Sequence, residues 1–293
     1  MIDIPAGLVA SQERFHGAAG RAFVTALPER AAGFLDRWSL RLDGPSMYGM
    51  CALVLPVLRA DGGRAALKLQ YLDEETAGEP VALRTWAGDG AVGLLEYDDG
   101  TGTLLLERLD ASRALSHEPD TRAATVVIAR LLARLTTVSA PPDLPRRLGP
   151  LSATMLTRVP AALPHLVSPA DRHLIEDCAA AVREVAPDPG DRLLHWDLHY
   201  DNVLAATREP WLAIDPKPLA GDPGFELFPA LANRFDPDEI HWRFDAMTEV
   251  MGLDRGRARA WTLGRVLQNA LWSIESGNRP APHHLEIGRR LRG

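Results

Sequence analysis

The pattern of apolar residues changes once along this chain, near residue 110, and that change restricts the folds open to it. Over residues 40–110, short apolar runs alternate with turn-forming residues such as Asp98-Asp99-Gly100, a pattern typical of an antiparallel sheet. After Ser112, apolar residues recur mostly at helical spacing. The sequence therefore predicts an α+β fold in two lobes, a sheet-rich lobe over residues 1–110 and a larger, mostly helical lobe over residues 111–293.

The first lobe is predicted to contain a helical lead-in, five antiparallel strands and one helix. Large apolar residues at roughly helical spacing indicate that the lead-in spans the first forty residues. The helix is predicted from Glu74 to Trp86, with a weak point at Pro80 because proline fits only the first turn of a helix. The predicted strands cover residues 40–43, 51–58, 65–70, 91–95 and 103–107.

Lysine occurs only at Lys68 and Lys217, in a chain that is rich in arginine. The alternation of side chains in strand 65–70 places Lys68 in mid-strand, on the face opposite the two leucines of that strand. The helix that follows carries two acids, Glu75 and Glu79, on one face. These acids share their stripe of the helix with the large apolar residues Leu83 and Trp86.

Two apolar runs within residues 203–214 are joined by four turn-forming residues and predict a β-hairpin. If Ala206 pairs with Trp211, then Asn202 lies opposite Asp215. Magnesium takes oxygen ligands from one or two side chains, together with waters and nucleotide phosphates. We therefore predict that Asn202 and Asp215 hold Mg²⁺.

Asp197 precedes Asn202 with the spacing Asp-x4-Asn. This is the spacing of the kinase catalytic loop, in which the aspartate accepts the proton of the attacking hydroxyl and the asparagine binds metal. Asp197 is therefore the predicted catalytic base.

Two other interpretations of these residues stay open. His195, Asp197 and His199 are spaced like metal ligands and Asp215 could join them, as in a metal-dependent hydrolase. That interpretation gives no role to Asn202 or to the lysine of the sheet. A non-catalytic nucleotide-binding protein is the other alternative, and nucleotide-dependent stabilisation without phosphoryl transfer would indicate it.

Three segments carry a resemblance to a known family. The runs at residues 195–204, 211–216 and 221–225 resemble the motifs of the aminoglycoside and hydroxyurea phosphotransferase family. The similarity extends more loosely over nearly the whole chain and is strongest to the branch that phosphorylates streptomycin. Trp196 stands where the broader group usually has glycine, and Glu226 stands where aspartate is commoner.

The resemblance implies a protein-kinase-like, two-lobed fold with ATP bound in the cleft. It implies that Lys68 contacts the α- and β-phosphates and is held by an acid of the following helix, for which Glu75 and Glu79 are both candidates. It also implies that residues 44–49 cover the phosphates and that the backbones of Glu107 and Leu109 bind adenine. The implied reaction is transfer of phosphate from ATP to a hydroxyl of a cationic aminoglycoside antibiotic, with streptomycin as the expected acceptor. Hydroxyurea, a choline-like alcohol or a sugar are the alternative acceptors.

A guanidinium-bearing acceptor such as streptomycin calls for carboxylates near its hydroxyl. The helical lobe offers several acids, and the sequence does not tell which of them line the cleft. These acids are Asp236, Asp238, Glu239, Asp245, Glu249 and Glu275.

Composition limits the partners and the location. The formal charge of −7 argues against nucleic acid and agrees with a cationic ligand. No run of eighteen apolar residues or positively charged leader occurs, so we expect a cytoplasmic protein with no membrane contact. Cys51 and Cys178 are too few for a disulfide framework. We expect a monomer.

Overall fold

The computed structural model describes residues 2–292 of the chain. An antiparallel sheet forms first along the chain and helices dominate after it, so the predicted α+β class is confirmed. Among these residues, no helix combines the length and the apolar character that crossing a lipid bilayer requires.

The sheet of the first lobe has six strands rather than the five predicted. The strands are β1 (Arg41–Leu42), β2 (Met47–Tyr48), β3 (Ala52–Leu58), β4 (Arg64–Gln70), β5 (Leu94–Asp98) and β6 (Thr103–Glu107). They are all antiparallel, in the order β1-β3-β4-β6-β5, and β2 pairs with β3. The additional strand β2 forms inside the predicted turn at residues 44–49, because Met47 and Tyr48 pair with Val54 and Leu53.

Strand β5 begins later than predicted. Residues 91–93 precede it and connect the first lobe to the second, since the backbone nitrogen of Val92 donates to the carbonyl of Ala213 at 2.9 Å. The nitrogen of Ala213 donates in turn to the carbonyl of Gly90 at 3.0 Å. Part of the predicted strand is therefore a backbone link between the lobes.

The first helix, α1 (Ala6–Arg37), covers one face of the sheet. Its apolar residues form a buried cluster with Leu67 and Leu69 of β4, and Lys68 is not part of this cluster. The helix bends at Gly17, which has a φ of +54°, a backbone conformation that glycine adopts readily. The helical lead-in and the alternation of faces along β4 are both confirmed.

Helix α2 (Glu79–Trp86) begins later than the predicted start at Glu74. The side chain of Asp73 accepts a hydrogen bond from the backbone nitrogen of Glu75 at 2.9 Å, which fixes a turn before the helix. Pro80 then lies in the first helical turn, where its missing N–H has no cost. One of the two candidate acids, Glu75, therefore lies outside the helix.

The second lobe packs around one long buried helix, α8. Its helices are α3 (Thr121–Leu135), α4 (Leu148–Ala162), α5 (Pro169–Val185), α6 (Phe228–Ala232), α7 (Ile240–Met251), α8 (Arg255–Glu275) and α9 (Pro282–Arg292). Its short strands are β7 (Asp110–Ala114), β8 (Arg192–Leu194), β9 (Val203–Ala205), β10 (Leu212–Ala213) and β11 (Leu219–Gly221). Strand β9 lies between β10 and β7, and β8 pairs with β11. These two small sheets carry the segments that the sequence marked as functional.

Candidate active site

Lys68 joins the two lobes through its ammonium group. Its Nζ donates to both carboxylate oxygens of Glu79, at 2.8 and 2.7 Å, and to Oδ1 of Asp215 at 2.6 Å. Lys217 donates to the same oxygen of Asp215 at 2.9 Å. Of the two glutamates that the sequence left open, Glu79 is therefore the one that contacts Lys68. Glu75 lies 3.7 Å from Arg146 instead.

We expect Glu79→Gln to cost more stability than Glu75→Gln. The Glu79 side chain is fully buried, so in the variant the buried ammonium loses one of its two charged partners and keeps Asp215. Breaking a buried ion pair costs about 3–5 kcal/mol, and the remaining partner suggests the low end of that range. The Glu75 side chain is 45% exposed, and such pairs contribute at most about 1 kcal/mol. Urea unfolding of both variants measures the difference, and equal losses would contradict the assignment.

The β9–β10 hairpin has a register that differs by one residue from the predicted one. Leu212 pairs with Leu204 and Ala213 with Val203, so the predicted pair of Ala206 with Trp211 was wrong. The residue that faces Asn202 is Ile214, whose nitrogen donates to the Asn202 carbonyl at 2.9 Å.

Asp215 reaches the cleft because the chain turns sharply after the hairpin. Its φ of +57° lies in the left-handed region, which a non-glycine residue adopts only where the surrounding contacts hold it. The two lysine contacts described above hold the side chain in place. Burial by itself would raise the pKa of Asp215, but the charges of Lys68 and Lys217 outweigh burial and lower it. The carboxylate is therefore ionised, as a magnesium ligand must be.

Asp197 lies on the loop between β8 and β9. Asn202 supports this loop, because its Nδ2 donates to the Asp197 carbonyl at 2.9 Å. The Asn202 nitrogen is thereby engaged, and the amide oxygen is the atom that could ligate a metal. Burial raises the pKa of Asp197, and the charges of His199 and Arg265 act against that rise. A raised pKa suits a group that must accept a proton.

His195 braces the same loop and is not placed as a metal ligand. Its Nδ1 lies 3.3 Å from the backbone nitrogen of Asp197, which donates to it, and its Nε2 lies 3.0 Å from the Ile214 carbonyl. Both ring nitrogens are therefore occupied, and burial lowers the His195 pKa to about 3. Within residues 2–292, no three histidine, cysteine or acidic side chains are grouped so that they could hold a metal. The geometry gives the hydrolase interpretation no support.

Trp196 has a φ of +67° and is held on both sides of its backbone. Glu226 accepts hydrogen bonds from the nitrogen of His195 and, at 2.9 Å, from that of Trp196. Arg265 donates to the Trp196 carbonyl at 3.3 Å. The longer side chain at residue 226 thus reaches the loop that carries Asp197 and fixes the residue before it.

Glu226 should make the stability of the protein depend on pH. Burial raises its pKa from 4.5 to about 7, although the two backbone donors act to lower it. The folded protein therefore keeps this proton in a pH range where the unfolded chain has lost it, and stability falls as pH rises from 4.5 to about 7. At 1.36 kcal/mol per pKa unit, the loss is about 3 kcal/mol.

His195 acts in the opposite direction over much of that range, because its lowered pKa makes stability rise with pH from about 3 to 6.5. The comparison with Glu226→Gln isolates the glutamate. We expect the unfolding free energy of this variant, relative to wild type, to rise by about 3 kcal/mol between pH 4.5 and pH 7. Urea unfolding across this range measures it, and a constant difference would contradict the prediction.

Glu107 and Leu109 lie where the chain leaves the sheet for the helical lobe. The Glu107 carboxylate accepts hydrogen bonds from the Gly93 nitrogen at 3.1 Å and from Nε of Arg208 at 2.9 Å. Arg208 belongs to the loop of the β9–β10 hairpin, so this contact ties the two lobes together beside the junction. Adenine binding by the backbones of Glu107 and Leu109 stays a prediction.

Four of the six acids that the sequence offered for a cationic acceptor pair with surface arginines. Glu239 lies 2.9 Å from Arg122, Asp245 lies 2.7 Å from Arg255, Glu275 lies 3.2 Å from Arg158 and Asp238 lies 3.8 Å from Arg290. Asp236 instead accepts a hydrogen bond from the nitrogen of Asp238 at 3.0 Å. These four carboxylates therefore already have a cationic partner in the structure.

The contacts of Arg146 and Arg265 with Trp196 were not predicted from the sequence. Their guanidinium carbons lie 3.6 and 4.8 Å from the centre of the Trp196 ring. For Arg265, the available signal was a charged residue placed among the apolar residues that α8 buries. Arg146 follows a proline-rich connector, and no comparable signal distinguishes it.

Comparison with known proteins gives matches in both sequence and structure. Residues 37–277 match the family described as aminoglycoside/hydroxyurea antibiotic resistance kinase. The chain is 64% identical to a hydroxyurea phosphotransferase of Kitasatospora aureofaciens, over 96% of this chain and 83% of that protein. It is 53% identical to a streptomycin 6-kinase of Streptomyces glaucescens, over 100% of this chain and 98% of that protein.

The fold is also found in solved structures of low sequence identity. A choline/ethanolamine kinase family protein from Mesorhizobium loti has a TM-score of 0.63 at 18% identity, covering 90% of this chain and 92% of the other. An aminoglycoside phosphotransferase in a ternary complex with ADP and hygromycin B has a TM-score of 0.61 at 13% identity, covering 89% and 97%. The fold is therefore the protein-kinase-like fold of these enzymes.

Proposed function

The chain belongs to the aminoglycoside/hydroxyurea antibiotic resistance kinase family, and on that premise we propose that it transfers the γ-phosphate of ATP to a hydroxyl of a small antibiotic. The observation that supports this most is the meeting of Lys68 from the sheet, Glu79 from the following helix and Asp215 from the second lobe. Phosphoryl transfer needs mainly positioning and charge neutralisation. These groups, with Asp197 nearby, can provide both.

In the proposed reaction, Asp197 accepts the proton of the acceptor hydroxyl. The hydroxyl oxygen forms a bond to the γ-phosphorus as the bond from that phosphorus to the bridging oxygen of ADP breaks. Lys68 contacts the α- and β-phosphates, and Glu79 holds its ammonium in position. The backbones of Glu107 and Leu109 bind adenine.

Asn202 and Asp215 are the proposed magnesium ligands. The donor set fits the ion, because Asp215 is ionised and both residues offer oxygen atoms. Bound magnesium would neutralise the charge that develops on the phosphates. Lys217 keeps Asp215 ionised through its 2.9 Å contact.

Two acceptors are supported by separate observations. Streptomycin is supported by identities of 53% and 50% to streptomycin 6-kinases over nearly the full chain. Hydroxyurea is supported by the 64% identity to a hydroxyurea phosphotransferase and by the pairing of four of the six candidate acids with surface arginines. We also propose that the enzyme is a monomer and acts in the cytoplasm, where ATP is available.

The proposal is tested by incubating the purified protein with ATP, magnesium and one acceptor at a time. Streptomycin, other aminoglycosides, hydroxyurea, choline and simple sugars form the panel. We expect ADP release and an antibiotic product heavier by one phosphoryl group, identified by mass spectrometry. Hydrolysis of a substrate with zinc and without nucleotide would contradict the proposal, as would nucleotide binding without transfer to any acceptor.

A further inference from the structure

Lysine is rare in this chain, and both lysines contact the same atom. Of the 32 lysine and arginine residues, only Lys68 and Lys217 are lysines. Lys68 belongs to β4 of the first lobe, whereas Lys217 lies between β10 and β11 of the second. Their ammonium groups lie 2.6 and 2.9 Å from Oδ1 of Asp215. A carboxylate oxygen accepts about two hydrogen bonds, so the two lysines occupy this oxygen fully.

The second lysine has fewer acidic partners than the first. Among residues 2–292, Lys217 has no acid other than Asp215 within ion-pair distance, while Lys68 also pairs with Glu79. Within the same part of the chain, Oδ2 of Asp215 accepts no hydrogen bond, and it is therefore the oxygen open to a metal. With Asp215 neutralised at that oxygen, the charge of Lys217 would have no acid to balance it. A phosphate oxygen would supply that partner.

The backbone of Lys217 is held beside the loop that carries the base. Both of its neighbours in the sequence are prolines, whose rings restrict the backbone. The nitrogen of Lys217 donates to the carbonyl of His195 at 3.0 Å, two residues before Asp197. Its carbonyl accepts a hydrogen bond from Arg146 at 3.1 Å. The position of this lysine is therefore fixed relative to Asp197.

The charge of Lys217 acts on both sides of the cleft. Burial raises the pKa of Cys51, just after the turn at residues 44–49, and Lys217 is the strongest charge acting against that rise. Burial also raises the pKa of Asp197, and Lys217 is among the cations that lower it. The side chains of Lys217 and Asp215 keep 15% and 34% of their surface exposed. The ammonium therefore lies in electrostatic range of both the turn and the base, at a place that solvent reaches.

The transferred phosphoryl group needs a cation at this place. In the proposed reaction it lies between ADP and the hydroxyl that Asp197 deprotonates. Negative charge in the transition state is spread over the three outer oxygens of this group. Lys68 is assigned to the α- and β-phosphates, which leaves Lys217 as the ammonium near the base.

We propose that Lys217 is a catalytic residue whose ammonium binds the γ-phosphoryl group of ATP during its transfer. The acceptor oxygen bonds to the γ-phosphorus as the bond to the bridging oxygen of ADP breaks. The proton of the acceptor passes to Asp197, and Lys217 keeps its own proton. A compact ammonium with three donors can hold Asp215 and a phosphoryl oxygen together. This inference rests on the proposed kinase function and adds a residue to its machinery.

Nucleotide binding provides the first test. Lys217→Met removes the charge and keeps the length of the side chain. AMP-PNP carries a γ-phosphoryl group and ADP does not. With magnesium, we expect the ratio of AMP-PNP affinity to ADP affinity to fall by about 10-fold or more relative to wild type, because a charge-assisted hydrogen bond is lost. ADP affinity itself should stay close to wild type, as measured by calorimetric titration.

Lys68→Met is the matched control, because it removes the other lysine that contacts Asp215. It should weaken the binding of both nucleotides and leave their affinity ratio unchanged, since both carry the α- and β-phosphates. If Lys217 acted only by supporting Asp215, Lys217→Met would weaken ADP and AMP-PNP equally. An unchanged ratio in Lys217→Met would therefore overturn the inference.

Kinetics provide the second test. With the acceptor that wild type uses best, Lys217→Met should lower kcat by about 10²–10³-fold, the loss typical of one donor to transition-state charge. The loss in kcat should exceed the loss in AMP-PNP affinity, because the contact strengthens as charge develops. A kcat within about 3-fold of wild type would contradict a catalytic role, since a transition-state contact is worth far more.

The scarcity of lysine gives a third test that needs no active variant. Protein labelled with ¹⁵N only at lysine has two side-chain ammonium groups, and the two variants assign their NMR signals. The Lys217 signal should differ between the ADP and AMP-PNP complexes of wild type, while the Lys68 signal should differ little. An identical Lys217 signal in both complexes would overturn the inference.

Thermal unfolding shows whether each variant is folded. If Lys217→Met does not fold, Lys217→Gln takes its place, because the amide can still donate to Asp215 without the charge. If wild type phosphorylates an acceptor but the affinity ratio does not change, the inference fails and the kinase proposal stands. If wild type phosphorylates no acceptor, the kinase proposal fails and the inference fails with it.

Discussion

Asp197→Asn is expected to lower kcat by about 10²–10⁴-fold, the range that a positioned general base contributes. The amide has the size of the carboxylate but accepts a proton far less readily, so the hydroxyl oxygen attacks without a base. The contact that Asn202 makes with residue 197 goes to the backbone carbonyl and is retained. Affinity for ATP should therefore stay close to wild type.

Asp201→Asn is the matched control for this variant. Asp201 lies on the same loop, and its carboxylate is 56% exposed and accepts a hydrogen bond from Asn233 at 3.0 Å. The same substitution there should leave kcat nearly unchanged. Steady-state kinetics with Mg-ATP and calorimetric titration with ADP measure both variants. An Asp197→Asn enzyme that keeps a tenth of the wild-type rate would not fit the assignment of Asp197 as the base.

The sequence predicted the elements best where one short pattern determines a structure. The alternation along residues 65–70 placed Lys68 on the face away from the leucines, because strand geometry allows only two faces. Those leucines are buried beneath α1. Predictions of this kind need no knowledge of distant residues.

Local detail was less predictable. The register of the β9–β10 hairpin depends on the number of residues in its loop. The observed register differs by one residue from the predicted one, so Asn202 faces Ile214 and not Asp215. Asp215 still reaches the cleft because its φ is positive. No residue type in that segment predicts a positive φ. The choice between Glu75 and Glu79 depended in the same way on where α2 begins.

Contacts between distant parts of the chain could not be predicted from the sequence. Arg265 contacts Trp196 across 69 positions of sequence, and in a chain rich in arginine nothing distinguishes it from the arginines on the surface. The same limit applies to the carboxylates expected near a cationic acceptor. Composition reveals these acids, but it does not reveal that surface arginines pair with most of the candidates. The sequence thus predicted the residues that meet at Lys68 better than the contacts of the candidate acids in the helical lobe.

Asp215→Ala is expected to remove most of the dependence of nucleotide binding on magnesium. Wild type should bind ADP much more tightly with magnesium than with a chelator, because Asp215, the proposed metal ligand, is ionised. Loss of even an indirect partner of a metal costs about 10–100-fold in affinity, so loss of a direct ligand should cost at least about 100-fold. Calorimetric titration of ADP with magnesium and with chelator gives the two affinities.

The lysines make the ratio of these two affinities more informative than either value alone. Asp215→Ala frees Lys68 and Lys217 from the oxygen that both now contact, so their charges can attract the nucleotide phosphates directly. We expect metal-free ADP to bind at least as well as it does to wild type, while the gain from magnesium disappears. If magnesium still tightened ADP binding as much as in wild type, Asp215 would not be a metal ligand, and the ion would have to be held by other groups.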